Sequence, residues 1–404
     1  MKVAVWINSS VDPKLGGGFS YTSKLVQLID DKQFNSKLEV CFIGSDAISF
    51  KLNKPYFSVD LTAKKLSIWH QFIVSFSRKF RVLKQLKKQI QLKNKKAFEA
   101  RVHQQVKQNN IDIIYYLSPM QRHVPNFPFI TTNWDLGHLT LPPFPEVTEP
   151  KELKARAKWY NNVLPNANCI FTESEAGKKE LIDFLSIPEE KIKIVPIFPG
   201  NIIHLNVKEA EQGHILDEFG LERNNFYIYP AQFWKHKNHE RLISAFDNVL
   251  KINPNVKLVL SGSDKGELNN VLDLVKLRQL EKKVLFTGFI SNEALYTLYK
   301  NALALVFPTL LGPTNMPPLE ARVIGCPVLC SDFMGHREQL RNGAIYFKPE
   351  DEKSIFESMI AVLDMQKRKT LLDNAYNELT SSSFNEEFAI SKIERHLLSL
   401  ISQL

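Results

Sequence analysis

The sequence predicts an α/β protein built of two parallel-sheet units that follow one another along the chain. Three observations carry the prediction. Apolar runs of strand length alternate with stretches of helical periodicity. The alternation stops at a segment of turn and breaker residues and then starts again. The chain has 404 residues with 44% hydrophobic content, enough apolar material for two cores. Strand, helix, parallel strand is the connection such alternation builds, because a crossover between parallel strands needs an element that spans the sheet.

The first apolar run, residues 3–8, is short and is followed by no small-residue cleavage pattern, so it reads as a buried strand and not as a signal peptide. A helix is expected over 18–29, a strand over 38–43, and then a long basic helical region. The second half repeats the rhythm, with strands expected at 226–229, 256–260, 284–286, 302–307 and 327–330 and helices at 239–251 and 268–280. Between the halves, Phe198-Pro199-Gly200-Asn201 and the polar stretch through Gly213 place a hinge at 198–215. There is no short-period internal repeat.

The net charge of +9 is one local device: residues 64–107 hold thirteen Lys or Arg against a single acid, Glu99, and the remainder of the chain is slightly acidic. A nucleic-acid-binding role is disfavoured by that confinement. Within the segment Trp69, Phe72, Ile73, Phe76, Phe80, Leu83, Leu86 and Ile90 recur at spacings of three and four, while Arg78, Lys79, Arg81, Lys84, Lys87 and Lys88 crowd around them. Two readings stand: a helix lying on an anionic membrane surface, or a helix packed on its own domain. No run of about eighteen apolar residues occurs, so the chain is expected to remain cytoplasmic and to meet a membrane only peripherally. Cys41, Cys169, Cys326 and Cys330 are too scattered for a disulfide framework and read as reduced core thiols.

The most informative segment runs from Phe307 to Ala321. An apolar strand breaks into a Gly/Pro loop, Leu310-Leu311-Gly312-Pro313-Thr314, and then enters a helix with prolines in its first turn. A helix start at the carboxyl end of a parallel strand is where an α/β domain binds a diphosphate, since unpaired N–H groups and the positive dipole end converge there. Asn315, Met316, Pro317 and Leu319 are the candidates at this helix start. Glu320 has two readings, a bidentate acceptor for a ribose diol or a first-turn acid complementing the dipole.

The order Asn301 to Pro308, then Pro318-Leu319-Glu320-Ala321, Gly325-Cys326-Pro327-Val328 and Ser331-Asp332, resembles the donor-site block of the large family-four glycosyltransferases, the glycosyl transferases group 1 type. Pro230 to His239 resembles the segment that supplies that family's phosphate-binding lysine, here Lys237. Phe286-Thr287-Gly288 and the residues after it resemble the turn lining its nucleotide-base pocket. The resemblance implies a GT-B fold, two Rossmann-like domains facing across a cleft, with a retaining mechanism. It implies an N-terminal acceptor-side domain over 1–200, a donor domain over 201–384 and a C-terminal helix over 385–404 packing back on the first domain. Two positions depart from the family. Gln232 stands where an arginine is common, with Lys235 and His236 nearby as partial replacements. Gly312 stands where a glutamate contacts the donor sugar, with Asn315 as an alternative source of an amide.

In the first half, Gly16-Gly17-Gly18 opens a helix after the first strand. Gly17 and Gly18 either let the backbone approach a diphosphate or simply make a turn. A dinucleotide fingerprint fails, because its third glycine would fall at Tyr21. An oxidoreductase is disfavoured accordingly. Phe129 to His138 reads as a strand entering an irregular loop, and it resembles the family segment in which a His-Asp pair nears the reacting sugar; this chain has Trp134-Asp135 there. Trp134 can stack on a sugar but carries no proton. Asp135 and His138 are either acceptor-side polar groups or an Asx-type turn and a surface histidine. Thr172 or Ser174 is expected to cap the helix that follows.

Together these readings predict transfer of a sugar from a nucleotide-diphosphate donor to a glycan acceptor, lipid-linked or at the cell surface, with Lys237 and Asp135 at the reacting centre. No cofactor beyond the nucleotide-sugar co-substrate is expected. No Asp-x-Asp pair occurs, so no metal is expected. The competing reading is an inactive descendant that binds nucleotide sugar without turnover.

Overall fold

The structure is a computed structural model and describes residues 1–7, 17–45, 48, 50–61, 81–121 and 123–402. The first sheet holds β1 (Lys2–Trp6), β2 (Glu39–Gly44), β3 (Tyr56–Ser58), β4 (Ile113–Tyr116), β5 (Phe129–Asn133), β6 (Cys169–Thr172) and β7 (Ile192–Ile194). Their order is β3-β2-β1-β4-β5-β6-β7, with every pairing parallel. The second sheet holds β8 (Phe226–Pro230), β9 (Lys257–Ser261), β10 (Val284–Gly288), β11 (Ala304–Phe307), β12 (Val328–Ser331) and β13 (Ile345–Phe347). Its order is β10-β9-β8-β11-β12-β13, again parallel throughout.

Helices α1 (Gly17–Asp31), α2 (Arg81–Gln108), α3 (Gly137–Thr140), α4 (Pro145–Thr148), α5 (Pro150–Asn162) and α6 (Glu175–Leu185) accompany the first sheet. Helices α7 (Glu209–Glu218), α8 (His239–Leu250), α9 (Leu268–Leu277), α10 (Asn292–Asn301), α11 (Met316–Ile324), α12 (Met334–Leu340), α13 (Glu352–Ala361) and α14 (Met365–Ser381) follow. The last helix, α15 (Glu386–Leu400), lies against α1: Lys24 pairs with Glu386 at 3.1 Å and Lys32 with Glu394 at 3.0 Å.

Helices on both faces explain why the strands read as continuous apolar runs. Along β1, Val3 and Val5 join one core cluster while Ala4 and Trp6 join the other, so both faces of the strand are buried. All four cysteines are buried and unpaired, as expected of core thiols. Among the described residues, no helix is long and apolar enough to cross a membrane.

The structure amends the sequence reading in two places. The stretch 198–215 holds the 3₁₀ turn Asn201–His204 and the first residues of α7, where a polar linker was expected. Phe198 in it is fully buried and stacks on Tyr21 with centroids 5.1 Å apart. The basic segment is described from Arg81 onward. Trp69, Phe72, Ile73, Phe76 and Phe80 lie outside the described residues, as do the side chains of Leu83 and Leu86. The C-terminal part of α2 packs on its own domain through Val102 and Val106, while Leu92, Lys93 and Lys96 are exposed. The packed reading thus applies to the end of the segment that holds Val102 and Val106.

Each sheet reverses its winding once, at β1/β4 and at β8/β11. Those switch points open a crevice at the carboxyl ends of the strands, the place where open α/β sheets bind ligands. In the second sheet they bring residues 231–238 beside 308–315. Asn238 ties these loops together: its Nδ2 donates to Pro308 O at 2.9 Å and Pro349 O at 2.7 Å from a left-handed backbone, φ 61°. Asn238→Ala is expected to lower unfolding free energy by about 2–4 kcal/mol, through the lost side-chain bonds, including that accepted from Arg241, and the strained backbone. Asn238→Gly loses the bonds without the strain and should cost about 1 kcal/mol less. Urea denaturation checks both; equal losses would show that the backbone conformation contributes nothing.

Candidate functional site

Lys237 ends the 3₁₀ turn Lys235–Lys237 at the carboxyl end of β8, and its Nζ lies 5.3 Å from the centre of the Phe307 ring. Burial pulls its pKa down to about 8, with the Asp135 carboxylate of the opposite domain acting to raise it. An ammonium short of counter-charge is what a diphosphate would complement. Asp135 also interacts unfavourably with the carboxyl of Glu173, so it stands between a cation of one domain and an acid of its own.

The donor-side candidates are differently equipped. Asn315 caps α11, and its amide is fully enlisted: Nδ2 donates to His336 Nε2 at 3.0 Å and to Leu311 O at 3.3 Å. His336 Nδ1 sits 2.7 Å from Ser331 O and must donate to it, which leaves Nε2 as the acceptor; burial holds the ring neutral with a pKa of about 4. The expected amide donor at Asn315 is therefore spent, and its carbonyl oxygen remains. Pro317 has no N–H, and neither has Pro318 after it. Leu319 is fully buried, and its amide stands four residues after the cap, inside the helical ladder. The Asn315 N–H is taken by Gln339 Oε1 at 3.2 Å. The helix start thus offers the amide of Met316, a smaller cradle than the sequence suggested.

Glu320 is buried on α11. Its Oε1 accepts from the Gly200 N–H at 3.2 Å, and its Oε2 from the Tyr299 hydroxyl at 3.4 Å. Burial raises its pKa to about 7. The exposed first-turn reading is excluded by that burial, and the carboxyl grips the segment between the domains.

The two nominated replacements for an arginine at Gln232 are engaged elsewhere. Lys235 pairs with Glu240 at 2.8 Å and with Glu267 at 3.5 Å. His236 Nδ1 contacts Glu146 Oε1 at 2.8 Å, and the His236 amide donates to the same oxygen at 2.9 Å. Gln232 itself donates to Ser263 Oγ at 3.2 Å and accepts from Trp234 Nε1 at 3.1 Å. Gly312 turns its missing side chain toward Phe333, since a Cβ there would lie 3.2 Å from that ring. Gly288 ends β10 with φ 66°, and its carbonyl accepts from the N–H of Gly262 at 2.9 Å, the glycine that lies against Ala231 and Gln232.

On the acceptor side, a Cβ on Gly18 would sit 3.0 Å from the Trp134 ring, so glycine here admits an indole. Gly17 is the first residue of α1. Asp135 Oδ1 accepts from Gly137 N at 2.7 Å, the Asx-type turn, while its charge acts on Lys237 as well. His138 is half-buried and stacks on Tyr160 with centroids 4.4 Å apart, so it is not a surface histidine. Ser174 is the cap of α6, accepting from Gly177 N at 3.0 Å.

Sequence reasoning missed the carboxyls that cross between domains. Glu173 Oε2 accepts from the Thr314 hydroxyl. Glu338 of α12 accepts from the amides of Glu175 and Ala176 at the start of α6, each at 2.8 Å. Their signal in the sequence is weak, because an acid beside a helix cap looks like ordinary capping chemistry.

Two doubly wound parallel domains meeting at their carboxyl edges define the GT-B architecture. Anabaena HepE, solved with UDP and glucose, shares this fold, with a TM-score of 0.69 and 17% identity over 99% of this chain and 100% of that one. Residues 215–378, most of the C-terminal domain, match the family described as Glycosyl transferases group 1. An uncharacterized glycosyltransferase of Methanocaldococcus jannaschii is 28% identical over 52% of this chain and 55% of its own length. The O-antigen chain mannosyltransferase RfbU of Salmonella typhimurium is 33% identical over 33% of this chain and 37% of its own. The matched segments therefore span well under two thirds of these two relatives.

Burial raises the Glu173 pKa to about 8, so the folded state keeps a proton that the unfolded chain releases above about 4.5. Folding then binds one more proton between those values, and stability falls as pH rises from 5 to 8, by at most roughly 1.4 kcal/mol per unit. Glu173→Gln, which stays neutral, should flatten that slope in urea denaturation at pH 5, 6, 7 and 8. An unchanged slope would mean that Glu173 is ionised in the folded protein.

Proposed function

We propose that this chain transfers a hexosyl group from a nucleotide-diphosphate sugar to a glycan acceptor, lipid-linked or at the cell surface, with retention of anomeric configuration and without a metal ion. The observation that carries the reading is Lys237 at the switch point of the family-matching domain, beside the start of α11 and facing Asp135. Cleaving the anomeric bond builds negative charge on the departing phosphate and positive charge on the sugar ring. Lys237 and the Met316 amide answer the first, and Asp135 answers the second. Glu320 holds the ribose. The acceptor attacks on the face the phosphate leaves, which needs no obligatory protein base. The hexose finds support in the name of the mannosyltransferase RfbU, and the nucleotide in the UDP bound to HepE.

The same reading places the protein at the inner face of the cytoplasmic membrane through the basic segment 64–107. Exposed Leu92, Lys93 and Lys96 on α2 support it. Each basic residue near an anionic leaflet contributes about 1 kcal/mol, so even half of the thirteen would hold the chain there reversibly. Gln232, fixed by Ser263 and Trp234 where a fixed cation would serve the diphosphate, favours the second reading of binding without turnover.

Lys237→Ala and Glu320→Ala are each expected to weaken nucleoside-diphosphate binding by about tenfold or more, since each removes a charge-assisted contact. Titration with UDP, GDP and ADP checks this, and parental affinity in both variants would place the donor elsewhere. Turnover of the matching nucleotide sugar should persist in EDTA; binding with no turnover of any conjugate would favour the inactive descendant. Vesicle co-sedimentation tests the membrane reading. Binding should require anionic lipid, fall with salt and vanish when Lys84, Lys87, Lys88, Lys93, Lys95 and Lys96 become Gln, whereas equal binding to neutral vesicles would contradict it.

A further inference from the structure

The carboxyl ends of β5 and β6 collect buried polar atoms that find no partner among the described residues. Successive residues of a strand point to opposite faces. Phe171 belongs to the core cluster that also holds Tyr21 and Tyr115, and the Glu173 carboxyl, two residues on, acts electrostatically on both of those phenols. Trp134 packs against that cluster, and its ring meets Tyr21 edge to face at 6.3 Å. On this one face, the Tyr21 hydroxyl and Trp134 Nε1 are buried, with no hydrogen-bond partner among the described residues. The Glu173 carboxyl lies near them: the residue is 4% exposed, its charge acts on the Tyr21 phenol, and its Oε2 receives the Thr314 hydroxyl. Buried polar groups are nearly always paired, so several idle ones at one point mark a place where a polar ligand completes the set.

The loop that Thr314 belongs to identifies the ligand. It connects β11 to α11, the donor side of the cleft, so Glu173 reaches from the first domain to the loop that covers the donor. Gly312 in that loop brings no polar side chain. A sugar offers several hydroxyls, each donor and acceptor, which match a carboxyl oxygen, a phenol and an indole N–H spread over one small face.

We infer that Glu173, with the Tyr21 hydroxyl, binds hydroxyls of the transferred sugar and so sets donor-sugar selectivity from the N-terminal domain, an inference that rests on the donor-site reading above. Held neutral by burial, Glu173 acts as both donor and acceptor toward a hydroxyl. Thr314 orients it, and Asp135 beside it keeps it from ionising.

The test separates sugar from nucleotide. Titrations of UDP with UDP-glucose, and of GDP with GDP-mannose, give for each variant the ratio of the nucleotide-sugar Kd to the nucleoside-diphosphate Kd. Glu173→Ala should raise that ratio tenfold or more while the nucleoside-diphosphate Kd moves less than twofold. Tyr21→Phe should move it in the same direction, and Glu173→Gln, shape-conserving and able to donate and accept, should restore part of it. Thermal unfolding of each variant confirms that it is folded under the titration conditions. A ratio unchanged in Glu173→Ala, or both affinities falling together, overturns the inference. A parent that binds none of the four nucleotides brings down the donor-site reading and this inference with it.

Discussion

Carboxyls crossing between the domains, Glu173 and Glu320 of them buried, fix the geometry of everything else. Glu146 holds both the amide and the ring of His236, Glu173 holds Thr314, and Glu338 holds the first amides of α6. Glu320 grips the Gly200 amide in the segment that joins the domains. A carboxyl removed from water and left unpaired costs several kcal/mol, so each of these acids constrains how the domains sit. The pairing is what lets Asp135 of one domain act on Lys237 of the other.

The same seam concentrates perturbed titrations. Lys237 falls to about 8, Glu320 rises to about 7 and Glu173 to about 8, all from burial in one cleft. Shifts that leave acids partly neutral and a lysine partly discharged near neutral pH are typical of sites built to receive charge or hydroxyl groups. With Gln232 neutral and Lys235 and His236 each bound to acids, Lys237 is left to carry the positive charge that the proposed site would present to a diphosphate. The two prolines of α11 narrow its amide cradle in the same direction, toward a site that depends on a single cation.

Much of the fold was legible because parallel strands buried on both faces leave uninterrupted apolar runs. The expected strands at 3–8, 38–43, 226–229 and 302–307 correspond to β1, β2, β8 and β11 within a few residues. The helix start at Asn315 was legible from a preceding strand, a Gly/Pro loop and a first-turn proline, all local signals. What escaped was non-local. Nothing near Glu146 or Glu338 in the chain announces His236 or the start of α6, because pairings over 90 and 163 positions depend on the docking of two domains. Glu173 was hidden by its neighbour: Ser174 does cap α6, and an acid next to a cap draws no further notice. The stretch after Gly200 looked like a linker because its polar residues are real, while the apolar residues that bury it, Phe198 and Ile202, are few.

The central claim is that this cleft holds a nucleoside diphosphate between Lys237 and the start of α11. A crystal structure of the protein with a bound nucleoside diphosphate tests it most directly. The account predicts the diphosphate within hydrogen-bond reach of Lys237 Nζ and the Met316 amide, with the Glu320 carboxyl turned from Gly200 to the ribose diol. A nucleotide bound elsewhere, with Glu320 still on Gly200, would contradict it.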